Sequence, residues 1–442
     1  MGGSTSLRVL RISVALARHG LPGLVRGLAR RSWAPPAAGL RRAFEGLGPA
    51  FVKLGQFLSV RPDLLVPEAL AELESLQDTG APVLLSEVLR VVEEDLRAPA
   101  DTLFRSFDPS PLASASVSQV HRAVLPAGNV VAVKVRRPGA ARLLREDLAL
   151  AGRALAALVP WTPLRSRLDP EALWREVTEA CEAEMDFRRE AETAEAFARS
   201  FREWPEVRVP RVHWGLTSRR VLTADFVEGL KISDPRVRER GDYRRLAELG
   251  ARAFLKQVLE DGLFHADLHP ANLLVTPQGE IAYLDFGIVG RLTGEERHAV
   301  LGALAGLISR DAPLALRHLR RLGVEVPAGH VEPFARDIGR VIDDALAPRL
   351  GDVSVGRIGR GILAAVHRHR VVFPRKYALL VKALLTIEGS ARALHPDFSF
   401  ELAAREYLWE RGLRTVRLTQ LCEAAWRGAA LVGVGALAAA EG

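Results

Sequence analysis

The chain has 442 residues, of which 48% are hydrophobic, so it can bury a sizeable core and should form two or three structural units. Its only cysteines, Cys181 and Cys422, lie far apart without a CxxC motif, which argues against a disulfide or a cysteine metal site. The net charge is +8, yet only six of the 61 basic residues are lysines. Each lysine therefore invites a functional explanation, because guanidinium does not replace a compact ammonium at a phosphate.

The first 44 residues carry eight arginines and no acid. Residues 21 to 28 place leucine and valine at helical spacing, which predicts a basic amphipathic helix. Such a helix can lie on an anionic membrane surface or pack on its own domain, and the sequence leaves both open. A nucleic-acid partner is not expected, because the segment has only two aromatic residues, Trp33 and Phe44, and no binding motif.

Hydropathy does not predict a transmembrane helix, since no run of about 18 uncharged apolar residues occurs. The apolar stretch from Gly428 to Ala440 is too short and predicts a packed or loosely ordered tail. Arginines at positions 8, 11 and 18 interrupt any signal-peptide core.

The first predicted helix of the globular region begins at Pro49 and ends near Arg61-Pro62. Lys53 and Gln56 share one face of this helix, and its apolar side chains lie on another. A solvated polar stripe and a functional pair are both consistent with this pattern.

A β-hairpin follows, with strands over residues 117–125 and 130–136. The residues before it are small: Ala113, Ser114, Ala115 and Ser116. Protein kinases place a glycine-rich loop over the ATP phosphates at this position, so an Ala/Ser-rich loop is predicted to serve here. The second strand contains the motif VAVK at 131–134, which places Lys134 in the position of the lysine that reaches the α and β phosphates.

A helical region from Glu171 to Arg202 contains Glu190, a candidate to pair with Lys134. Residues 207–213 and 219–226 predict two further strands of the same sheet, and residues 225–229 a hinge that meets adenine. Further helices are predicted from Tyr243 to Asp261 and from Gly294 onward.

The central motif lies between residues 264 and 287. It contains His265-x-Asp267, Asn272 five residues after that aspartate, and Asp285-Phe-Gly eighteen residues after it. These are the offsets of the kinase catalytic and metal-binding loops. Phosphoryl transfer needs a carboxylate to orient the nucleophile and oxygen ligands for magnesium, so Asp267 suits the first role, and Asn272 and Asp285 the second.

The segment between these residues predicts a hairpin, with strands 273–275 and 281–284 around a turn at 276–279. A rival interpretation takes His265, Asp267 and His269 as ligands of a transition metal. That site would need further ligands and supporting hydrogen-bond partners, and the sequence contains no other dense cluster of such residues.

Taken in order, these motifs resemble the UbiB/AarF family of atypical protein-kinase-like proteins, over about residues 45 to 400. The matching motifs are KLGQ at 53–56, ASAS at 113–116, VAVK at 131–134, EMDFRRE at 184–190, HADLHPAN at 265–272 and DFG at 285–287. KLGQ and EMDFRRE distinguish this family from ordinary kinases.

The resemblance implies that Lys134 binds phosphates and pairs with Glu190, that Asn272 and Asp285 hold Mg²⁺, and that Asp267 is in the catalytic-base position. It further implies that Lys53 and Gln56 belong to an extension laid across the site and held by Glu184 and Asp186. The sequence departs from the family pattern in having Ser114 in place of alanine and Ser118 in place of glycine.

The expected fold is α+β, a bilobal protein-kinase-like fold with a helical N-terminal extension packed across the active site. The expected domains are a basic segment (1–44), the KLGQ extension (45–102), an N-lobe (103–228), a C-lobe (229–400) and a C-terminal helix with an apolar tail (401–442). Ala266 stands where protein kinases have an arginine, and no APE motif follows, so peptide docking is not expected.

The leading hypothesis is an ATP- and Mg²⁺-binding ATPase or small-molecule/lipid phosphotransferase supporting ubiquinone or isoprenoid quinone metabolism. Its expected partners are ATP or ADP, an isoprenoid lipid or quinone precursor, an anionic membrane surface and quinone-biosynthesis proteins. The expected location is cytoplasmic and peripheral at the inner membrane face. The alternatives are a nucleotide-gated pseudokinase scaffold or lipid chaperone, and a soluble small-molecule kinase.

Overall fold

A computed structural model of the chain describes residues 34–76, 80–158, 169–308, 311–346 and 355–410. These residues form two compact units. The first comprises the described residues up to Glu228 together with Ala282–Gly287, and the second comprises Gly229–Ile281 and the described residues from Ile288 onward. The predicted basic helix over residues 21–28 and the apolar tail at 428–440 lie outside the described residues.

The first unit combines a helical region with an antiparallel sheet. Its helices are α1 (Ala34–Leu47), α2 (Pro49–Leu58), α3 (Pro67–Glu74), α4 (Leu85–Leu96), α5 (Ala100–Leu103), α6 (Ala140–Leu158), α7 (Pro170–Ala183) and α8 (Phe187–Ser200). Its strands are β1 (Ser106–Ser114), β2 (Ser118–Val124), β3 (Val130–Arg136), β4 (Val207–Arg208) and β5 (Val221–Asp225).

The sheet has the order β1-β2-β3-β5, with every neighbouring pair antiparallel. The predicted hairpin of β2 and β3 is confirmed. Alternate residues of β3, Val131, Val133 and Val135, are buried in one apolar cluster with Val88 and Val91 of α4. Because side chains alternate along a strand, Lys134 is directed to the opposite face of the sheet.

Helix α2 carries the KLGQ motif and begins at Pro49, as predicted. A second apolar cluster joins α2 to α1, α3, α6 and α7. A Cβ at Gly55 would overlap the side chains of Leu76 and Phe44. The glycine of the motif therefore has a packing role, since it permits the close approach of α2 to the segments that cover it.

The second unit is mainly helical. Its helices are α9 (Pro235–Glu239), α10 (Tyr243–Lys256), α11 (Gly294–Ile308), α12 (Ala312–Arg321), α13 (Val331–Leu346), α14 (Val355–Arg368), α15 (Arg375–Leu394) and α16 (Phe400–Glu410). Its strands are β6 (Leu230–Lys231), β7 (Leu263–His265), β8 (Leu273–Val275) and β10 (Val289–Arg291), while β9 (Ile281–Tyr283) extends across the division between the units.

The second unit contains two short antiparallel strand pairs, β6 with β8 and β7 with β10. The loop with Asp267 and Asn272 lies between β7 and β8. One turn of π-helix, Gln257–Asp261, follows α10, and together they occupy the predicted helix from Tyr243 to Asp261. In the described ranges, no helix is both long enough and apolar enough to cross a bilayer.

Two expectations about the first unit are corrected. Residues 207–213 do not form a strand of the main sheet: β4 covers only Val207–Arg208, and Val212 makes an isolated bridge to Ala224 of β5. Pro210, which lacks an N–H donor, interrupts the segment between them. The helical region 171–202 is likewise divided, because α7 ends at Ala183 and α8 begins at Phe187.

The second unit contains a buried charge cluster centred on Asp337 of α13, which is 4% exposed. His369 Nε2 lies 2.8 Å from its Oδ2, and Arg368 and Arg340 also contact the carboxylate. Burial alone would raise the pKa of Asp337, but hydrogen bonds from His369 and Arg368 and the charge of Arg340 hold it at about 2.

We predict that Asp337→Asn lowers the free energy of unfolding at pH 7 by about 2 kcal/mol, because the depressed pKa stabilises the ionised folded state. The wild type should lose this contribution as the pH falls from about 4 towards 2, so the two proteins should converge there. Urea unfolding as a function of pH measures both effects. Asp344→Asn, an exposed position on the same helix, is the control, and equal stability of both variants at pH 7 would contradict the assignment.

Candidate functional site

In the first unit, the structure brings Lys134 and Glu190 together. Lys134 Nζ lies 2.8 Å from both carboxylate oxygens of Glu190 and 3.4 Å from Oδ2 of Asp285. Lys134 is held by the ladder of β3 between β2 and β5, opposite Val120 and Leu222. Glu190 lies in the first turn of α8 and is buried. A rigid strand and the start of a helix therefore position the two charges.

The electrostatic environment keeps Lys134 charged. Burial disfavours the ammonium, but the neighbouring carboxylates of Asp285 and Glu190 outweigh this effect and raise the pKa of Lys134 above its usual value. Nearby Lys53 opposes that rise. The Phe187 ring also lies against the ammonium, 5.3 Å from its centroid to Nζ. A fixed positive charge at this position is suited to binding an anion.

The DFG segment also belongs to the first unit. Phe286 is buried and its ring lies 5.2 Å, between centroids, from that of Phe197 on α8. Asp285 accepts a hydrogen bond from the Gly287 N–H at 2.8 Å, while 47% of its side chain is exposed. The phenylalanine thus anchors the segment and leaves a carboxylate accessible to a cation.

Lys53 of the KLGQ motif forms an ion pair with Glu184 at 2.6 Å, and its side chain is only 10% exposed. An ordinary solvated surface pair is therefore excluded for Lys53. Gln56, one turn later, is half-buried. Glu184 is the C-cap residue of α7, so the ion pair joins the extension to the end of that helix.

The expected pairing of Asp186 with the KLGQ motif needs correction. Its carboxylate accepts from the Arg188 N–H as the N-cap of α8 and lies 3.3 Å from Arg219. The interruption of the helix between Ala183 and Phe187 gives Glu184 and Asp186 different partners. Asp186 therefore contributes through the position of α8, whose first turn carries Glu190.

Ala113 and Ser114 of the Ala/Ser-rich loop form the end of β1, and Ala115 and Ser116 lie in the turn to β2. The Ala115 N–H donates to the Ser118 carbonyl at 2.9 Å. Arg137, which sequence reasoning missed, donates to Ser114 Oγ at 2.7 Å, to the Ala115 carbonyl at 2.8 Å and to the Ala81 carbonyl at 2.7 Å. The serine that departs from the family pattern at position 114 thus supplies an acceptor.

The segment before α4 reinforces this arrangement. The Gly80 N–H donates to the Ser114 carbonyl at 3.1 Å, and a Cβ at Gly80 would overlap Arg137 and Ala115. The Val83 N–H donates to the buried Gln119 side chain. The loop is therefore held by residues of the extension that follow its KLGQ helix, α2. Ser118 lies in β2 opposite Arg136, so it does not require the conformational freedom of glycine.

In the second unit, Asp267 and Asn272 lie together. Asn272 Nδ2 donates to the Asp267 carbonyl at 3.0 Å and to its Oδ2 at 3.1 Å. His265, fully buried on β7, accepts from the Asp267 N–H at 3.2 Å. Lys382 Nζ of α15 lies 3.4 Å from Asp267 Oδ1. Sequence reasoning missed this lysine, whose only signal was the rarity of lysine in the chain.

The transition-metal alternative receives no support. Nδ1 of His265 accepts from the backbone of Asp267, and Nδ1 of His269 accepts from the Ala271 N–H. In the part of the chain that the structure describes, no group of three His, Cys, Asp or Glu side chains is placed to hold a metal. The histidines instead stabilise the backbone of the loop.

These features define a protein-kinase-like domain, and comparison with known proteins identifies the family. Residues 75–319 match the ABC1 atypical kinase-like domain, and residues 338–399 match the UbiB helical domain. The chain therefore belongs to the ABC1/UbiB family of atypical kinase-like proteins. The family and the fold class predicted from the motifs are confirmed.

Curated relatives match over most of the chain. An uncharacterised protein of Synechocystis sp. is 35% identical over 83% of this chain and 63% of its own length. "Activity of bc1 complex kinase 3, chloroplastic" of Arabidopsis thaliana is 36% identical over 84% and 53%, and "probable protein kinase UbiB" of Marinobacter nauticus is 35% identical over 84% and 70%. The chain thus spans between half and two thirds of the length of the first two of these relatives.

Among solved structures, a Mycobacterium tuberculosis protein in complex with erythromycin aligns with 80% of this chain and 93% of its own. Its sequence identity is 24% and the TM-score is 0.48, so the likeness is too loose to support any functional argument.

We predict that Arg137→Met loosens the loop at residues 113–116, because three hydrogen bonds from a charged group are lost. Since one such bond contributes about 1.5–3 kcal/mol, amide hydrogen exchange in the loop should accelerate about tenfold or more. Exchange measured by mass spectrometry on the intact chain tests this. Arg105→Met, an exposed arginine beside β1, is the control. Unchanged exchange in the Arg137 variant would show that the loop does not depend on this side chain.

Proposed function

We propose that the chain is an ATP- and Mg²⁺-binding enzyme, an ATPase or a small-molecule/lipid phosphotransferase that supports isoprenoid quinone metabolism. The observation that carries the proposal is the contact of Lys134 with both Glu190 oxygens at 2.8 Å, with Asp285 at 3.4 Å, in a chain of an atypical kinase-like family. This is the arrangement with which kinases direct a lysine at nucleotide phosphates.

The donor set of the first unit fits a magnesium nucleotide. The buried lysine supplies a fixed positive charge, and the half-exposed carboxylate of Asp285 is a hard oxygen ligand of the kind Mg²⁺ prefers. We assign phosphate binding to Lys134, its orientation to Glu190, and magnesium ligation to Asp285 and Asn272. Magnesium, when bound, supplies neutralisation of phosphate charge.

We assign to Asp267 the role of orienting and deprotonating the nucleophile. Its carboxylate would orient a water or an acceptor hydroxyl and accept its proton as the oxygen attacks phosphorus. The hydrogen bonds of Asn272 to the Asp267 side chain and carbonyl support this role, because they restrict the carboxylate to one orientation. His265 supports it further by fixing the backbone of the loop.

A small-molecule or lipid acceptor is favoured over a protein. Ala266 is uncharged where protein kinases have the arginine that pairs with a phosphorylated activation loop, and no APE motif follows DFG. The isoprenoid or quinone acceptor, the quinone-biosynthesis partners and peripheral association with an anionic membrane are proposed on the resemblance of the sequence motifs to the family.

We expect nucleotide binding to depend on magnesium and on Asp285. A thermal-shift titration with ATP should give a larger shift with Mg²⁺ than with EDTA, and Asp285→Asn should remove most of the difference, because a neutral amide is a weaker ligand. Asp101→Asn, at an exposed position in the same unit, should behave as the wild type. Equal shifts with and without metal in the wild type would refute the magnesium assignment.

We expect Asp267→Asn to lower the rate of ATP turnover by about 10²–10⁴, the usual contribution of a positioned base, while ATP still binds. Phosphate release and nucleotide titration, run on the same preparation, separate the two effects. Asp397→Asn, an exposed aspartate of the second unit, is the control. Turnover that survives the Asp267 substitution would instead favour a scaffold or lipid chaperone gated by nucleotide.

A further inference from the structure

The carboxylate of Asp267 contacts two donors from different parts of the second unit. Asn272 Nδ2 lies 3.1 Å from Oδ2, and Lys382 Nζ lies 3.4 Å from Oδ1. The lysine side chain is 25% exposed, so it is only partly buried. It projects from α15, within the residues that match the UbiB helical domain. The helical domain thus places a positive charge beside Asp267, the residue assigned to orient the nucleophile.

The catalytic loop itself contains no such charge. Residues 265–272 read HADLHPAN, without lysine or arginine, and Ala266 and Leu268 are buried. A phosphoryl group approaching Asp267 brings negative charge towards a carboxylate, and that charge must be balanced for the transfer to proceed. The Lys382 ammonium is the cation that the structure places within reach of this carboxylate.

We propose that Lys382 is a catalytic residue that contacts a non-bridging oxygen of the transferred phosphoryl group. This inference rests on the proposed ATP-dependent function. In the step, the nucleophile oxygen forms a bond to the terminal phosphorus, and the bond from phosphorus to the bridging oxygen breaks with its electron pair leaving on ADP. The nucleophile proton passes to Asp267. Lys382 remains protonated throughout and balances the charge of the phosphoryl oxygens.

The position of Lys382 on the helix supports a functional role. The opposite face of α15 is buried, with Ile387, Ala391 and Leu394 in the core, so the helix is held firmly in the unit. A compact ammonium can leave the carboxylate for a phosphate oxygen by rotation of its flexible stem. Six residues earlier on the same helix, Lys376 contacts Glu296, which also accepts a hydrogen bond from the Tyr377 hydroxyl. Lys376 is therefore a matched lysine with a structural partner.

The test compares Lys382→Met, Lys382→Arg and the control Lys376→Met in the full chain, by ATP turnover and by titration with Mg·ATP and Mg·ADP. Loss of one transition-state donor typically lowers kcat by about 10²–10³, and we expect that loss for Lys382→Met. ATP affinity should fall about tenfold or more, with ADP affinity unchanged, because only ATP has the terminal phosphate. Lys382→Arg should retain more of both properties, and Lys376→Met should match the wild type.

Equal effects of Lys382→Met on ATP and ADP, or none on turnover, would overturn the inference while leaving the proposed function intact. Absence of Mg·ATP binding by the wild type would instead remove the proposed function and this inference with it. The same titrations in an Asp267→Asn background separate contact from positioning. A direct contact requires that the selective loss of ATP affinity persists there, and its disappearance would show that Lys382 acts only through Asp267. Circular dichroism confirms that each variant is folded.

Discussion

The candidate site in the first unit depends on a largely buried lysine whose charge is balanced by neighbouring carboxylates. Lys134 contacts both oxygens of Glu190, and the Asp285 carboxylate lies within 3.4 Å. Desolvation of such a pair offsets much of its attraction, so the pair is poor evidence for stability. Its value lies in fixing an ammonium in one place with one neighbouring carboxylate still half-exposed. That combination suits a ligand that is anionic at its phosphates and cationic at its metal.

The N-terminal extension is coupled to this pair through a short stretch of chain. Lys53 of α2 contacts Glu184 at the end of α7, and Asp186, two residues later, caps α8. Glu190 follows in the first turn of α8. Six residues of chain therefore separate the partner of Lys53 from the partner of Lys134. The charge of Lys53 also acts on Lys134 directly, lowering its pKa against the effect of the carboxylates.

Local sequence patterns predicted what depends on local geometry. The offsets around Asp267 gave the loop that holds Asn272, and the alternation around Lys134 gave the β2–β3 hairpin. The strand expected over residues 207–213 failed where Pro210 cannot donate a hydrogen bond. The pairing expected for Asp186 failed because a helix boundary, which charge spacing does not reveal, turned it into a cap.

Arg137 and Lys382 could not be found from the sequence because their contacts are set by tertiary packing. Arg137 reaches Ala81, 56 residues earlier, and Lys382 reaches Asp267 across 115 residues. No periodicity relates positions at such separations. The composition nevertheless gave one indication of Lys382, because lysine is rare in this chain. In a chain that uses arginine almost everywhere, two of the six lysines, Lys134 and Lys382, contact carboxylates of residues assigned to phosphate chemistry. A third, Lys53, pairs with Glu184 at the end of α7. An arginine at these positions would bring five fixed donors that need more acceptors than one carboxylate offers, whereas an ammonium can exchange a carboxylate for a phosphate oxygen within the same space.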